Sequence, residues 1–154
     1  VGVTIGLIQH HFGTKEGLRR AVDGLVVERV VGALATVHHT GSAAEVVEAR
    51  NVAVRAMLRE NPQVVRYLNR ALLEPDGRGA SLLEAIVELT TREVDGLRRG
   101  GHASTRTPDK VQVVRTIMDQ VGELFLQPIV AAIWSQVDGD PTGRPSIGIT
   151  VERR

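Results

Sequence analysis

The chain of 154 residues has no cysteine and very few aromatic side chains, with one tryptophan, one tyrosine and two phenylalanines. The absence of cysteine excludes disulfides, thiolate zinc sites and cysteine nucleophiles. No apolar run approaches the roughly 20 residues that cross a bilayer, and no signal-peptide pattern opens the sequence. We therefore expect a protein without a membrane partner, whose core consists of Val, Leu, Ile and Ala.

An excess of charge of one sign is also lacking, since 19 Lys and Arg residues face 18 Asp and Glu residues, for a formal net charge of +1. This balance excludes binding to nucleic acid through bulk positive charge, so any such contact needs a local patch. Hydrophobic residues make up 42% of the chain and charged residues 24%, which is typical of a folded globular protein.

Apolar residues recur at helical spacing along most of the chain, and no stretch before residue 138 alternates cleanly enough for a strand. The pattern predicts an all-α fold. The predicted helices cover residues 4–12, 15–37, 81–99 and 108–137, with two further helices between residues 42 and 73.

Local signals mark several helix ends. Thr14 is placed to cap the helix that begins at residue 15, and Ser42 with Glu45 has the spacing of a capping box. Residues 61–62 supply a cap and a first-turn proline for the shorter helix that follows. Pro128 lies inside the last predicted helix, so we expect a kink or a split there.

The C-terminal tail, residues 138–154, is rich in glycine and proline and is not expected to form a helix. Ile147, Ile149 and Val151 alternate with other residues, which permits a short strand or an extended arm on a partner. A flexible terminus is the alternative.

The most informative segment is residues 3–18, with the sequence VTIGLIQHHFGTKEGL. It resembles the recognition helix, and the start of the next helix, of TetR-family transcription regulators, which often show the pattern V-S/T-x-G-x-L/I-Y-x-H-F-x-x-K-x-x-L. The residues that match in register are Val3, Thr4, Gly6, Ile8, His11, Phe12, Lys15 and Leu18. The order of helices up to about residue 136 also looks like the regulatory domain of that family.

The resemblance implies double-stranded DNA with a palindromic operator as a partner. The residues expected to contact DNA are Thr4, Ile5, Gly6, Leu7, Gln9, His10 and Lys15. Gln9 stands where the family usually has tyrosine, and Ile5 stands where a polar residue that contacts bases is common. The ammonium group of Lys15 and the free N–H groups of its helix are expected to bind one phosphate. Ile8 and Phe12 are assigned to the core of the headpiece.

The sequence starts at Val1, directly before the motif. A complete helix-turn-helix headpiece of this type has two helices before the recognition helix, so we expect that they are missing here and that the fragment binds an operator poorly. Residues 1–37 are interpreted as the remnant of the headpiece with the connecting helix. Residues 38–137 are interpreted as the regulatory domain for effector binding and dimerisation, and residues 138–154 as the tail.

The resemblance also implies a homodimer in which the two longest predicted helices of each copy form a four-helix bundle. The predicted interface residues are Leu83, Val87, Val94, Val114, Ile117, Val121 and Leu124. The alternative is that these apolar ridges pack inside one subunit.

A small apolar or amphipathic effector is expected in a pocket of the regulatory domain, where its binding would tilt the helix after the motif and release the operator. The candidate pocket residues are Met57, Tyr67, Leu68, Leu72 and Phe125. Ordinary core packing is the alternative for each of them.

No catalytic motif is present: the sequence has no phosphate loop, no dinucleotide fingerprint and no G-x-S-x-G. None of the five histidines has a partner at metal-ligand spacing. We therefore expect no enzyme activity, metal or cofactor. The leading hypothesis is a ligand-responsive repressor in the bacterial cytoplasm, and the second is a helical interaction module without DNA-binding activity.

Overall fold

A computed structural model describes residues 5–38, 40–73, 79–137 and 140–151. Within these ranges every long element is a helix and there is no strand, which confirms the all-α fold class. The elements are α1 (Ile5–Phe12), α2 (Lys15–Ala35), α3 (Ala43–Glu60), α4 (Pro62–Leu73), α5 (Ala80–Arg99), α6 (Asp109–Val137) and a 3₁₀ turn (Pro141–Gly143). None of the described helices is both long enough and apolar enough to cross a membrane.

The two caps predicted from local spacing are confirmed. The Gly17 N–H donates to Thr14 Oγ1 over 3.0 Å at the start of α2. At the start of α3 the Glu45 N–H donates to Ser42 Oγ, and the Ser42 N–H donates to Glu45 Oε2 over 2.7 Å. The bond from the Ser42 N–H, and a second bond from the Ser42 hydroxyl to the same Glu45 Oε2, hold the pKa of Glu45 below its usual range, so its carboxylate stays ionised and continues to cap the helix.

Asn61 joins two helices rather than capping only the second. Its side-chain Nδ2 donates to the Met57 carbonyl at the end of α3, while its backbone carbonyl accepts the N–H groups of Val64 and Val65 in α4. Its Oδ1 accepts a hydrogen bond from Arg29 Nη1 in α2 over 2.6 Å. One short polar side chain therefore ties the α3–α4 junction to α2.

Pro128 does not split the last helix, because α6 runs without interruption over Asp109–Val137. A proline removes one backbone donor, and in a helix the acceptor that loses its partner is the carbonyl four residues earlier, on Leu124. The hydrogen bonds on either side of this position keep the helix continuous.

The chain divides into two compact units, Val1–Leu89 and Thr90–Arg154, and α5 runs through the boundary. In the first unit α2 packs against α1 and α3, and α3 packs against α4. The buried apolar residues are Val26, Val46, Met57, Val64, Leu68, Leu82 and Leu89 in the first unit, and Val94, Val113 and Ile117 in the second.

Residues 140–151, here called the C-terminal arm, form neither a helix beyond the 3₁₀ turn nor a strand. They lie along α6 of the same chain. Gln127 Nε2 donates to the Pro145 carbonyl, the Ile147 N–H donates to Gln127 Oε1, and Arg115 donates to the Val151 carbonyl. The alternating residues of the tail are therefore part of an extended arm that is seated on its own chain.

The capping box of α3 gives a direct test of the local structure. We expect Ser42→Ala to lower the free energy of unfolding by about 1 kcal/mol, since one helix N–H group loses its acceptor. Urea denaturation measures this change. Ser146→Ala, at an exposed position of the arm, is the control and should stay within about 0.5 kcal/mol of the unchanged protein. Equal effects of the two changes would contradict the capping role.

Candidate functional site

The short helix α1 is joined to the long helix α2 by a two-residue turn. Gly13 has φ +68°, in the left-handed region that glycine adopts without strain, and Thr14 is extended with φ −122°. The Thr14 N–H donates to the Phe12 carbonyl over 2.7 Å. The turn therefore reverses the chain sharply and fixes where α1 stands relative to α2.

Gly17 is the contact point between the two helices. A Cβ built on Gly17 would lie 2.2 Å from the carbonyl oxygen of Phe12, so no residue other than glycine fits without a shift of the backbone. Sequence reasoning did not single out Gly17. Its position in the first turn of a helix, where glycine is a poor helix former, is the signal that would have found it.

The residues predicted to contact DNA are only partly described. Gly6 and His10 in α1 and Lys15 at the start of α2 are all exposed. Thr4 lies outside the described residues. For Ile5, Leu7 and Gln9 the structure describes the helical backbone and not the side chains, and the same holds for Ile8.

Lys15 is the first residue of α2, where the N–H groups of the first turn have no partner inside the helix. One of them, on Gly17, is bound by Thr14, and the adjacent Glu16 adds a negative charge. The remaining N–H groups and the Lys15 ammonium can still bind one phosphate oxygen.

The first unit contains a polar cluster formed by Asp23 of α2, Tyr67 of α4 and Ser81 of α5. Asp23 is only 4% exposed. Tyr67 donates its hydroxyl hydrogen to Asp23 Oδ1 over 2.6 Å, and Ser81 donates to Asp23 Oδ2 over 2.6 Å. Both carboxylate oxygens are therefore bound, and α2 is joined to α4 and α5 at one point.

The cluster changes the acidity of Tyr67. Burial raises the pKa of Tyr67 to about 12, and the hydrogen bond to Asp23 and its negative charge act in the same direction, while the charge of Arg19 opposes them. The hydroxyl therefore stays protonated as a donor. Asp23 was missed from the sequence, although an acid three residues before the apolar Val26 lies on the inner face of α2.

The predicted pocket residues fall in different places. Met57 and Leu68 are buried core residues of the first unit, and Leu72 is half-buried there. Tyr67 is half-buried with its hydroxyl bound to Asp23. Phe125 is half-buried in the second unit.

The predicted interface residues separate into three sets. Leu83, Val87 and Val114 are exposed. Val94 and Ile117 are buried in the second unit, where they belong to its core. Val121 and Leu124 are half-buried. Within α5, Leu82 is fully buried and its neighbour Leu83 is not, so the ridge that holds Leu82 is the inner one.

Two open depressions are lined by other residues. The first, of about 620 Å³, lies between the end of α2 and the start of α3 and is lined by Thr36, Val37, His38, Thr40, Gly41, Glu45, Ala49, Val52 and Ala53. The second, of about 440 Å³, lies on α6 and is lined by Pro128, Ile129, Ala132, Ile133, Gln136 and Val137. No group of three or more metal-ligating side chains occurs among the described residues.

Comparison of the chain with protein families, with curated proteins and with solved structures gave no match. The resemblance of residues 3–18 to a recognition helix therefore depends on the motif itself.

The contact at Gly17 generates a prediction in which two opposing effects compete. Alanine is favoured over glycine in a helix by about 1 kcal/mol, but overlap with a backbone carbonyl costs about 1–3 kcal/mol. We expect Gly17→Ala to destabilise the protein in urea denaturation. Gly24→Ala is the matched control in the same helix, because a Cβ there meets nothing within 4 Å, and it should stabilise. Stabilisation by both changes would contradict the close approach of α1 to α2.

The acidity of Tyr67 can be measured directly, because it is the only tyrosine in the chain. We expect its phenolate absorbance to appear with a midpoint near pH 12, above the ordinary value of 10.0. Since the folded-state pKa is the higher one, the stabilising contribution is complete below pH 10 and is lost as the pH rises towards 12. Ser81→Ala keeps the tyrosine and tests whether the cluster, rather than burial alone, sets the midpoint. A midpoint of 10 in the folded protein would contradict the bonded arrangement.

Proposed function

We propose that this chain belongs to a ligand-responsive repressor that binds a palindromic operator as a homodimer in the bacterial cytoplasm, with α1–α2 as part of its DNA-binding headpiece. The observation that carries the proposal is the pair α1–α2, a helix of eight residues turned sharply into a helix of 21 residues. The TetR-like motif lies on this pair.

The size and exposure of α1 fit the major groove. An α-helix with its side chains is about 10–12 Å across, which matches a major groove about 12 Å wide, and the eight residues of α1 give about 12 Å of helix to place in it. Gly6 permits close approach of the helix to DNA, and the exposed His10 imidazole can donate to a base edge or a phosphate. Lys15 follows α1 after the two-residue turn, where it can bind a phosphate and determine how deeply α1 enters the groove.

The long helix α2 supplies a path from effector to DNA. It follows the turn at Gly13 directly, and the bonds of Asp23 tie it to α4 and α5. A ligand that shifts α4 or α5 therefore moves α2 and with it α1. Two copies of α1 that no longer match half-sites about 34 Å apart would leave the operator.

The dimer and the effector are proposed from the chemistry of the side chains. Leu83 and Val87 in the first unit are apolar and exposed, and so is Val114 in the second, as residues of a two-fold interface are. The core of the first unit is almost entirely aliphatic, so a cavity opened within it would suit a small apolar or amphipathic effector.

A second candidate function, a helical interaction module without DNA-binding activity, is favoured by one observation. Ile129, Ile133 and Val137 recur every four residues on α6 and are all more than half exposed. Such a row is typical of a helix that packs against another protein.

The two lysines of the chain provide the test, since each lies in the first turn of a long helix, Lys15 in α2 and Lys110 in α6. In the intact protein, we expect Lys15→Ala to weaken binding to every duplex DNA and to lower the salt slope by about one. Fluorescence anisotropy against operators selected from a random duplex library measures both quantities.

Lys110→Ala removes the same charge at a comparable helix position and should leave both quantities unchanged. If Lys15→Ala bound DNA as the unchanged protein does, the assignment of α1–α2 to the headpiece would be wrong. If the full-length protein bound no duplex from the library at all, the interaction module would be the better proposal.

A further inference from the structure

The helix α6 is covered on two opposite faces. Val113 and Ile117 lie on the inner face and are buried in the core of the second unit. Gly122 is nine residues after Val113, and at about 100° per residue it lies on the opposite face. Gly122 is nevertheless buried. A Cβ built on it would lie 2.0 Å from Cδ1 of Ile149, so the side chain that covers it comes from the C-terminal arm.

The arm runs antiparallel to α6, because successive residues of the arm meet successively earlier residues of the helix. Asp140 is bound at Trp134, Pro145 and Ile147 at Gln127, Ile149 at Gly122, and Val151 at Arg115. The helix from residue 115 to residue 134 is about 28 Å long, and a fully extended chain from 140 to 151 is about 36 Å long. The 3₁₀ turn Pro141–Gly143 shortens the arm towards the length of the helix.

The arm is bound mainly through its backbone. The groups that bond to α6 are the carbonyls of Asp140, Pro145 and Val151 and the N–H of Ile147. The side-chain amide of Gln127 makes two of these bonds: its Nε2 donates to the Pro145 carbonyl over 3.0 Å, and its Oε1 accepts from the Ile147 N–H over 3.0 Å. Ile149 supplies the side chain that fills the notch left by the missing Cβ of Gly122.

Backbone hydrogen bonds combined with one apolar notch are how grooves bind extended peptides. We propose that this face of α6 is an extended-peptide site that accepts the arm of a second copy as well as the chain's own arm, so that two copies can exchange arms. The contacts described above join α6 to residues 140–151, and an arm supplied by another copy satisfies each of them. The inference does not rest on the proposed binding of DNA.

The chain's own arm competes strongly for the site, because a tethered segment has an effective concentration of the order of millimolar. An arm in trans therefore binds well only where the resident arm is weakened. Ile149→Ser weakens it without touching α6, since serine has too little apolar surface to fill the notch at Gly122.

The experiment uses the full chain and a fluorescently labelled peptide of residues 140–151, followed by fluorescence anisotropy. We expect the peptide to bind the Ile149→Ser chain about tenfold more tightly than the unchanged chain, whose site is occupied. The same peptide carrying Ile149→Ser should bind the Ile149→Ser chain about tenfold more weakly than the unmodified peptide does. Trp134 is the only tryptophan, so its emission reports the state of the arm in each chain.

Two double variants test the notch itself. Gly122→Ala is the test change and Gly96→Ala is its matched control, and each is combined with Ile149→Ser. A Cβ on Gly122 occupies the notch, whereas a Cβ on Gly96 meets nothing within 4 Å. We expect the first to bind the peptide more weakly, because the Ile149 side chain must move out of the notch, and the second to bind it as the Ile149→Ser chain does. Equal binding of the two peptides, or equal binding by the unchanged and Ile149→Ser chains, would overturn the proposal without any dependence on how the Gly122 variant folds.

Discussion

The carboxylate of Asp23 is the group on which the arrangement of the first unit depends. A charge that is 4% exposed is costly to bury unless its oxygens are bound, and here Tyr67 and Ser81 each bind one. Hydrophobic packing alone would let aliphatic helices slide past one another, because Val, Leu and Ala ridges are similar along their length. The short, directional bonds to Asp23 fix α2 against α4 and α5 at a single register. The helix that follows the proposed DNA-contacting segment is therefore tied to the helices proposed to sense the effector.

The features predicted well from the sequence are those that a few neighbouring residues decide. The caps at Thr14 and Ser42, the helical periods and the all-α class depend on contacts within one turn, so the spacing of residues is enough to predict them. Asn61 was placed at the correct junction, but its bonds to Met57 and Arg29 depend on how three helices meet. Tertiary context decides such contacts, and a single sequence does not contain it.

The candidate site shows the same limit. Periodicity placed Leu83, Val94 and Ile117 on apolar ridges, but it does not say which ridge faces the core of the chain, and only the structure separates the exposed residue from the two buried ones. Asp23 was missed because its importance comes from residues 44 and 58 positions away, and Gly17 was missed because its importance comes from a carbonyl of the preceding helix. The alternation of Ile147 and Ile149 is visible in the sequence, yet it cannot indicate that Ile149 packs against a glycine on α6.

The contacts of the arm affect how easily α6 can bend at Pro128. One backbone hydrogen bond of α6 is missing, because Pro128 has no N–H to donate to the Leu124 carbonyl. A helix bends most easily at such a point. The arm is hydrogen-bonded to Trp134, which follows Pro128, to Gln127, which is next to it, and to Arg115, which lies 13 residues before it. The arm therefore stiffens α6 at Pro128. Any bend of the helix that moves Trp134 away from Arg115 on the side of the arm must stretch the arm or break its hydrogen bonds to α6.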